Sequence, residues 1–443
     1  MKKLFAILVM LAAMNASSQT GWFQQSSGTT QFLECVHFIN DQTGFAGGGF
    51  TIFKTTNGGT SWIQKVLPDT TSINSIRFLN STTGYACGGR TVNEYYCLLH
   101  LFKTTNSGET WLKIYQVTSS FSYLDSFRDV FPLDSLIYLT SGGAGWMETF
   151  GSIFLSQNSG VNFLNLDFLS DSKVEKLSFI NSQTGWVTTT YGTDVPFLKR
   201  KIFKTTNHGQ NWTMQYRDSA MTTSFSESDF EIQFVNQNTG FGLYHKINNV
   251  IKFLKTTNSG ATWDSTYLSY RKYGGMFFAD ASTGWICGGY YPDSILIIRT
   301  TNSGSNWHVQ KKGNFSLNAV YFVNYLIGWA VGYNGVILKT TTGGVTNVQN
   351  ISSEIPTAFS LSQNYPNPFN PRTVVSFQLS VVSNVVLKVY DVQGCEVQTL
   401  VNQKLQPGTY EATIDGSLLS SGVYFYKLVT DGFSETKRMV LIK

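Results

Sequence analysis

The sequence predicts an all-β chain, a seven-bladed β-propeller followed by a small C-terminal β-sandwich. The prediction comes from composition, from a unit that recurs seven times, and from a change of pattern near residue 346. Of the 443 residues, 42% are hydrophobic, 15% aromatic and 13% charged, and 40 are glycine. Such a mix builds a large core from short strands and tight turns. After the first twenty residues no sustained i, i+3, i+4, i+7 apolar stripe occurs, so helices are not expected.

The repeat is read from one unit. It runs Phe78-Leu79-Asn80-Ser81-Thr82-Thr83-Gly84-Tyr85, then Leu101-Phe102-Lys103-Thr104-Thr105-Asn106-Ser107-Gly108-Glu109-Thr110-Trp111. The first half recurs with the same Phe-to-Gly spacing at Phe38/Gly44, Phe179/Gly185, Phe234/Gly240, Phe278/Gly284 and Phe322/Gly328. The second half recurs with Asn57/Trp62, Asn207/Trp212, Asn258/Trp263 and Asn302/Trp307, as it does with Asn106/Trp111. A degenerate copy holds Phe131, Tyr138 and Asn158, and a last copy ends at Gly344 without a Trp. Each unit reads as four short strands, the fourth led by its Trp, and radial repetition of such units makes propeller blades. Gly21-Trp22-Phe23-Gln24-Gln25 matches Asn306-Trp307-His308-Val309-Gln310, so the N-terminal strand is expected to complete blade 7 and protect the sheet edge.

The repeats resemble the Asp-box family (bacterial neuraminidase repeats), and more closely the propellers of photosystem II assembly and stability factors. The resemblance covers roughly residues 20–345, with Asn in the place of the box Asp. It implies that the polar residue ties the turn while the aromatic packs between sheets, a structural role. Asn suits this because its side chain bonds nearby backbone amides. The neuraminidase catalytic set is not carried over. The Phe-Arg-Ile-Pro motif is missing, and the seven arginines of this region are scattered.

The ends of the chain differ from the ring. Lys2 and Lys3, the apolar run Leu4 to Ala13 and Ala16-Ser17-Ser18 read as a signal peptide over residues 1–18, too short to span a bilayer. The propeller is placed at 19–345, a linker at 346–358 and a sandwich at 359–443. In the tail, Tyr365-Pro366-Asn367-Pro368-Phe369-Asn370-Pro371 forces extended backbone. Strands are expected at Val374–Leu379, Val385–Tyr390, Thr409–Ile414, Val423–Val429 and Arg438–Ile442, with turns that include Gly394 and Gly422. The proline segment, Tyr390-Asp391-Val392-Gln393-Gly394, the stretch Leu419 to Tyr426 with Gly422 and Tyr424, and Lys437-Arg438-Met439-Val440 resemble the type A sorting domain of the type IX secretion system. That resemblance implies handling by the secretion machinery and a secreted or cell-surface location reached through the periplasm.

The net charge of +5 includes Lys2 and Lys3, and no basic run follows them, which argues against nucleic acid. No cofactor or metal site is expected from any Cys or His spacing. Cys87 and Cys97 flank one insertion and could pair, or Cys87 and Cys287 fill equivalent small core positions.

Any ligand is expected on the face carrying the second and fourth connections of each blade, because these vary. From the turn Gly to the third-strand Lys the spacing is 10 in blade 1 but 19 in blades 2 and 4. Constant turns build a scaffold and divergent loops recognise. Trp146 and Glu148 of blade 3, with Tyr95, Tyr96, Tyr191, Tyr290 and Tyr291, are the ligand candidates; Tyr244 sits in a comparable loop. Each reads equally as a local apolar plug. Asp129, Asp194, Glu227, Asp229 and Asp293 are the carboxylates available for glycoside hydrolysis, but no spacing singles out a pair. The reading is therefore a secreted or surface binding protein for a glycan or protein, with a glycoside hydrolase on the same scaffold as the alternative.

Overall fold

The computed structural model describes residues 21–93, 96–119, 125–144, 149–166, 172–191, 199–218, 230–245, 250–268, 273–289, 294–344, 348–416 and 419–443. The signal peptide expected at 1–18 lies outside them.

Seven four-stranded antiparallel sheets run from residue 21 to 344. Their innermost strands are Cys35–Phe38, Ser72–Phe78, Ser126–Leu133, Ser172–Phe179, Glu231–Phe234, Tyr273–Phe278 and Leu317–Phe322. In blades 1 to 6 the strands follow sequence order from inner to outer. Blade 7 takes its outer strand from the other end of the chain: Gly21–Gln25 pairs with Ile337–Gly344, Phe23 opposite Lys339. The fold is a seven-bladed β-propeller.

What joins the blades is a ring-on-ring contact. In five blades the residue after the turn Gly stacks on the Phe that ends the next blade's inner strand. Phe45 meets Phe78 at 4.5 Å, Trp186 meets Phe234 at 3.4 Å and Phe241 meets Phe278 at 3.6 Å. Trp285 meets Phe322 at 3.6 Å and Trp329 meets Phe38 at 3.4 Å. The Trp of the Asn-x-Gly turn closes the same Phe edge-on, as Trp62 does with Phe38 at 5.9 Å. The turn Gly is needed here, since a Cβ on Gly44 would lie 2.3 Å from the Phe38 ring.

The expectation of a Trp-led fourth strand is corrected by one residue. Trp212 and Trp263 precede the strands Thr213–Asp218 and Asp264–Leu268 instead of opening them, and both are half-buried, not enclosed in the core. Pairing with the third strand starts only at Thr213 opposite Lys204 and at Asp264 opposite Lys255. The cause is the turn just before them, where Gly209 and Gly260 take φ of 78° and 85° and fold the indole back over the turn. A Cβ on Gly209 would lie 3.4 Å from the Trp212 ring, and one on Gly260 would lie 3.6 Å from Trp263 Nε1. The packing role survives the correction. Trp212 meets Phe179 edge-on at 6.3 Å and Trp263 meets Phe234 at 5.8 Å.

Blade 3 departs from the expected alignment. Phe131 pairs with Tyr138, the register that His37 has with Phe45, so Pro132 and not Phe131 stands where other blades have the stacking Phe. A two-residue turn, Asp134-Ser135, with Asp134 at φ 54°, replaces the longer Asn/Ser/Thr-Gly turn. Tyr138 keeps its role and stacks on Phe179 at 4.2 Å.

The tail is a β-sandwich of two four-stranded sheets. One orders Val348–Ser352, Gly408–Asp415, Arg372–Leu379 and Ser360–Leu361; the other orders Glu396–Leu405, Ser383–Tyr390, Gly422–Val429 and Ser434–Leu441. The segment expected as a linker, 346–358, therefore contributes a strand, because Val348 to Ser352 finds a partner in Gly408–Asp415. Alternating side chains, including Phe377, Leu387, Tyr410, Tyr426 and Leu428, fill the space between the sheets.

Candidate functional site

The Asn-x-Gly turns on the constant face are self-contained. In blade 4 the Thr205 hydroxyl donates to Asn207 Oδ1 at 3.0 Å and accepts from Gly209 N at 2.9 Å, while Asn211 N donates to Asn207 Oδ1 at 2.9 Å. The same set recurs around Asn57, Asn106, Asn158, Asn258 and Asn302. The third-strand lysine reaches across to the next blade's turn, as Lys103 does to the Ser159 carbonyl at 3.1 Å. Lys54 and Lys65 both bind Glu109, holding its carboxyl down at about 2. The hydrogen bonds of these groups are committed to the scaffold.

The inner strands carry seven register-equivalent positions: His37, Arg77, Phe131, Ser178, Gln233, Phe277 and Tyr321. Most of them also stitch forward to the next blade. Gln233 Nε2 donates to the Phe278 carbonyl at 2.9 Å and its Oε1 accepts from Phe278 N at 2.8 Å. Burial, and then the Arg77 charge, drive the His37 imidazole down to about 3, so it is neutral. Asp129, a carboxylate candidate, is buried and takes bonds from Ser75 Oγ at 2.8 Å, Arg77 Nη2 at 3.1 Å and Leu177 N at 3.1 Å. It is a joint between blades 2, 3 and 4 and has no free face for substrate. Asp194, Glu227, Asp229 and Asp293 lie outside the described residues.

On the variable face the candidates divide. Trp146, Glu148, Tyr95, Tyr290 and Tyr291 lie outside the described residues. Tyr96 is half-buried, and its amide donates to Asn93 Oδ1 at 3.2 Å. Tyr191 ends the second strand of blade 4, with Lys199 and Lys201 over its ring at 4.9 and 5.3 Å. The two tyrosines belong to different blades, and the structure does not join them into one site. Tyr244 is no ligand group: it is buried, and its hydroxyl bonds Asp218 and lies 2.9 Å from the Tyr216 hydroxyl. Burial pushes its hydroxyl far above the usual phenol range.

Two features of this face were not read from the sequence. Asp125, at the entry to blade 3, is buried, its Oδ1 has no hydrogen-bond partner among the described residues, and burial raises its carboxyl above the ordinary range. At the junction of blades 7 and 1, Phe32, Phe50 and Tyr333 are 42%, 56% and 42% exposed. Phe32 and Tyr333 stack at 6.0 Å with planes 26° apart. The signal for the second feature was available, since Phe32 and Phe50 break the repeat, but scoring loops by length hid two short connections. Among the described residues no cluster of three His, Cys, Asp or Glu could hold a metal. Cys35, Cys87, Cys97 and Cys287 are buried thiols outside any disulfide, with Cys87 opposite Leu101 and Cys97 opposite Thr91.

In the tail, Phe369 is buried and its backbone bridges to the last strand: Phe369 N donates to Val440 O and Ile442 N donates to Phe369 O, both at 2.9 Å. Val440 N donates to Asn367 Oδ1 at 2.9 Å. Asn364 N donates to the Tyr426 hydroxyl and Tyr424 donates to the Ser420 carbonyl. Tyr365 stays 81% exposed.

A propeller with self-satisfied turns and a proline-clamped sandwich define a two-part all-β protein. Residues 363–443 match the family described as the secretion system C-terminal sorting domain. That domain is the sorting tail of type IX secretion, and it directs the chain to the cell surface or beyond. No helix of the described residues is long and apolar enough to cross a membrane. No curated protein matches the chain in sequence.

Solved structures match the fold. YCF48 bound to D1 peptide is 17% identical with a TM-score of 0.50, over 73% of this chain and 98% of that one. YCF48 from Cyanidioschyzon merolae is 15% identical at a TM-score of 0.47, over 72% and 98%. A family PL25 polysaccharide lyase, an ulvan lyase, is 10% identical at 0.48, over 73% and 96%. At such identities the likeness concerns the fold alone.

Proposed function

We propose that this is a secreted or surface-anchored binding protein that engages a glycan or a protein on the variable-loop face of its propeller, after delivery by the sorting tail. One contrast carries the reading. The constant face is built from turns that satisfy themselves, whereas the opposite face combines loops of unequal length with exposed aromatic rings. Among the carboxylates considered for hydrolysis, Asp129 is committed to structure, which favours binding over the glycoside hydrolase alternative.

Glycan arrays and pull-downs with the full mature chain test the proposal. Binding should be captured and should weaken on Trp146→Ala or Tyr191→Ala. A chain that binds nothing across broad panels would overturn it. So would reducing-sugar release that disappears on a single Asp or Glu substitution, which would promote the hydrolase.

A further inference from the structure

The aromatic group at the ring-closure junction is unusual in this propeller, where most large rings are used up at blade seams. Phe32 lies on the connection from the N-terminal strand into blade 1, Phe50 on the turn after Gly44–Gly48, and Tyr333 on the turn after Gly328–Gly332. All three connections emerge on the variable face. The platform straddles the first and last blades and the strand that closes them.

Its backbone is fixed from both sides. Leu33 N donates to the Gly332 carbonyl of blade 7 at 3.0 Å, and Glu34 N donates to the Gly47 carbonyl of blade 1 at 2.7 Å. Thr29 N donates to Ser27 Oγ at 3.3 Å and Gln31 N to Thr29 Oγ1 at 3.1 Å. A Cβ on Gly48 would lie 2.4 Å from the Phe32 carbonyl oxygen, and one on Gly335 would lie 2.0 Å from that of Thr29. The three segments thus meet backbone against backbone, with Gly335 at φ 67°. The backbone that carries the rings is set before any ligand arrives, which lowers the ordering cost of binding.

The segments that carry them hold no charge. Residues 26–33, 47–53 and 331–337 contain no Asp, Glu, Lys or Arg. The exposed polar neighbours are Thr30, Gln31 and Asn334. Half-buried Glu34 follows the first stretch, and the three stretches offer an anionic ligand no cation. A protein partner needs roughly 800 Å² on its side of a stable interface, far more than three rings set among Gly and Thr provide. A sugar ring, with one C–H face and hydroxyls around its rim, matches flat aromatics bordered by amides and hydroxyls.

We infer that Phe32, Phe50 and Tyr333 form a stacking platform for a neutral glycan chain at the junction of blades 7 and 1. This rests on the binding reading above and names its place and ligand class.

The test is affinity electrophoresis of the full mature chain through gels containing xylan, mannan, laminarin or starch, with alginate as the charged comparator. At least one neutral polysaccharide should retard the protein. Phe32→Ala and Tyr333→Ala should each weaken that retardation by about fivefold, the equivalent of losing one ring contact. Tyr333→Phe should retain most of it. All three variants should melt within a few degrees of the parent, because the rings are at the surface. Retardation by alginate alone, or by no polysaccharide, overturns the inference. If neutral glycan binds but the ring variants behave as the parent, this platform is excluded while glycan binding elsewhere on the face stands. Capture of a protein without any polysaccharide likewise keeps the general reading and removes this one.

Discussion

Trp22 meets Phe322 edge-on at 5.6 Å with planes 88° apart, and Trp307 meets Phe278 at 6.1 Å with planes 84° apart. Trp22 and Phe322, 300 positions apart in the chain, thereby reproduce the contact made within blade 6. The final blade is completed by the beginning of the chain.

Trp22→Ala removes a side chain that is 1% exposed. The expected loss is about 3–5 kcal/mol, read as a lowered urea midpoint. Deleting residues 19–25 uncovers the Ile337–Gly344 strand, and size-exclusion chromatography should then show association through that edge.

Asn207→Asp and Asn207→Ala separate the role of the turn acceptor. Asn207 Oδ1 accepts from Thr205 and from Asn211 N. Asp preserves both bonds and should leave melting nearly unchanged. Ala strands both donors and should cost about 1–2 kcal/mol. Equal losses for the two variants would remove the carbonyl from the explanation.

Acid should destabilise the ring through His37. Its imidazole titrates near 3 in the folded chain because of burial, then Arg77, against an ordinary value of 6.5. The unfolded state therefore binds the proton first, and stability is lost as pH falls from 6.5 toward 3. The slope is at most about 1.4 kcal/mol per pH unit for one such group, and the partial exposure of His37 reduces it. Denaturant midpoints at pH 7 and pH 5 measure it, and His37→Gln should flatten the difference. His100, also lowered by burial and placed between Thr71 and Gln116, adds in the same direction.

Phe369→Ala should disable the tail. The ring is 2% exposed, and its backbone ties the proline segment to the last strand. The expected cost is about 3–5 kcal/mol in a small domain, and fractionation should find the chain retained in the periplasm. Normal export of a destabilised Phe369→Ala chain would show that the sorting signal is read without the folded sandwich.

The propeller was legible because its contacts recur at fixed spacing: Phe-to-Gly, Asn-to-Trp and the Lys between them each name one position in a blade. Spacing alone does not show where pairing begins, so Trp212 and Trp263 read as strand residues although each folds over its turn before the strand starts. Blade 3 was misaligned by one residue because a two-residue turn shortened the hairpin, which matches Phe131 to Phe78 by spacing when register matches it to Arg77. The strand at Val348 was missed since its partner, Gly408–Asp415, lies some sixty residues on, beyond local pattern. The candidate site was less legible. Repeats reveal what is constant, and recognition depends on what varies, so Phe32 and Tyr333 acquire meaning only when the ring brings them 6.0 Å apart. Tyr244 looked like a loop aromatic, but strand pairing with Lys252 draws it inward to Asp218.

Pro132 gives the toroid one joint of a different make. Six of the seven blade junctions carry the same stack, an aromatic ring of one blade on the Phe that ends the next blade's inner strand. At the remaining one, between blades 2 and 3, Tyr115 of an outer strand stacks instead on Phe127 at 6.2 Å and Phe163 at 4.4 Å, and Ser75, Arg77 and Asn74 bond Asp129, Ser126 and Phe127. Added salt strengthens apolar contacts and screens a buried ion pair only weakly. A rise in salinity outside the cell would therefore tighten the annulus, with the smallest gain at this polar seam.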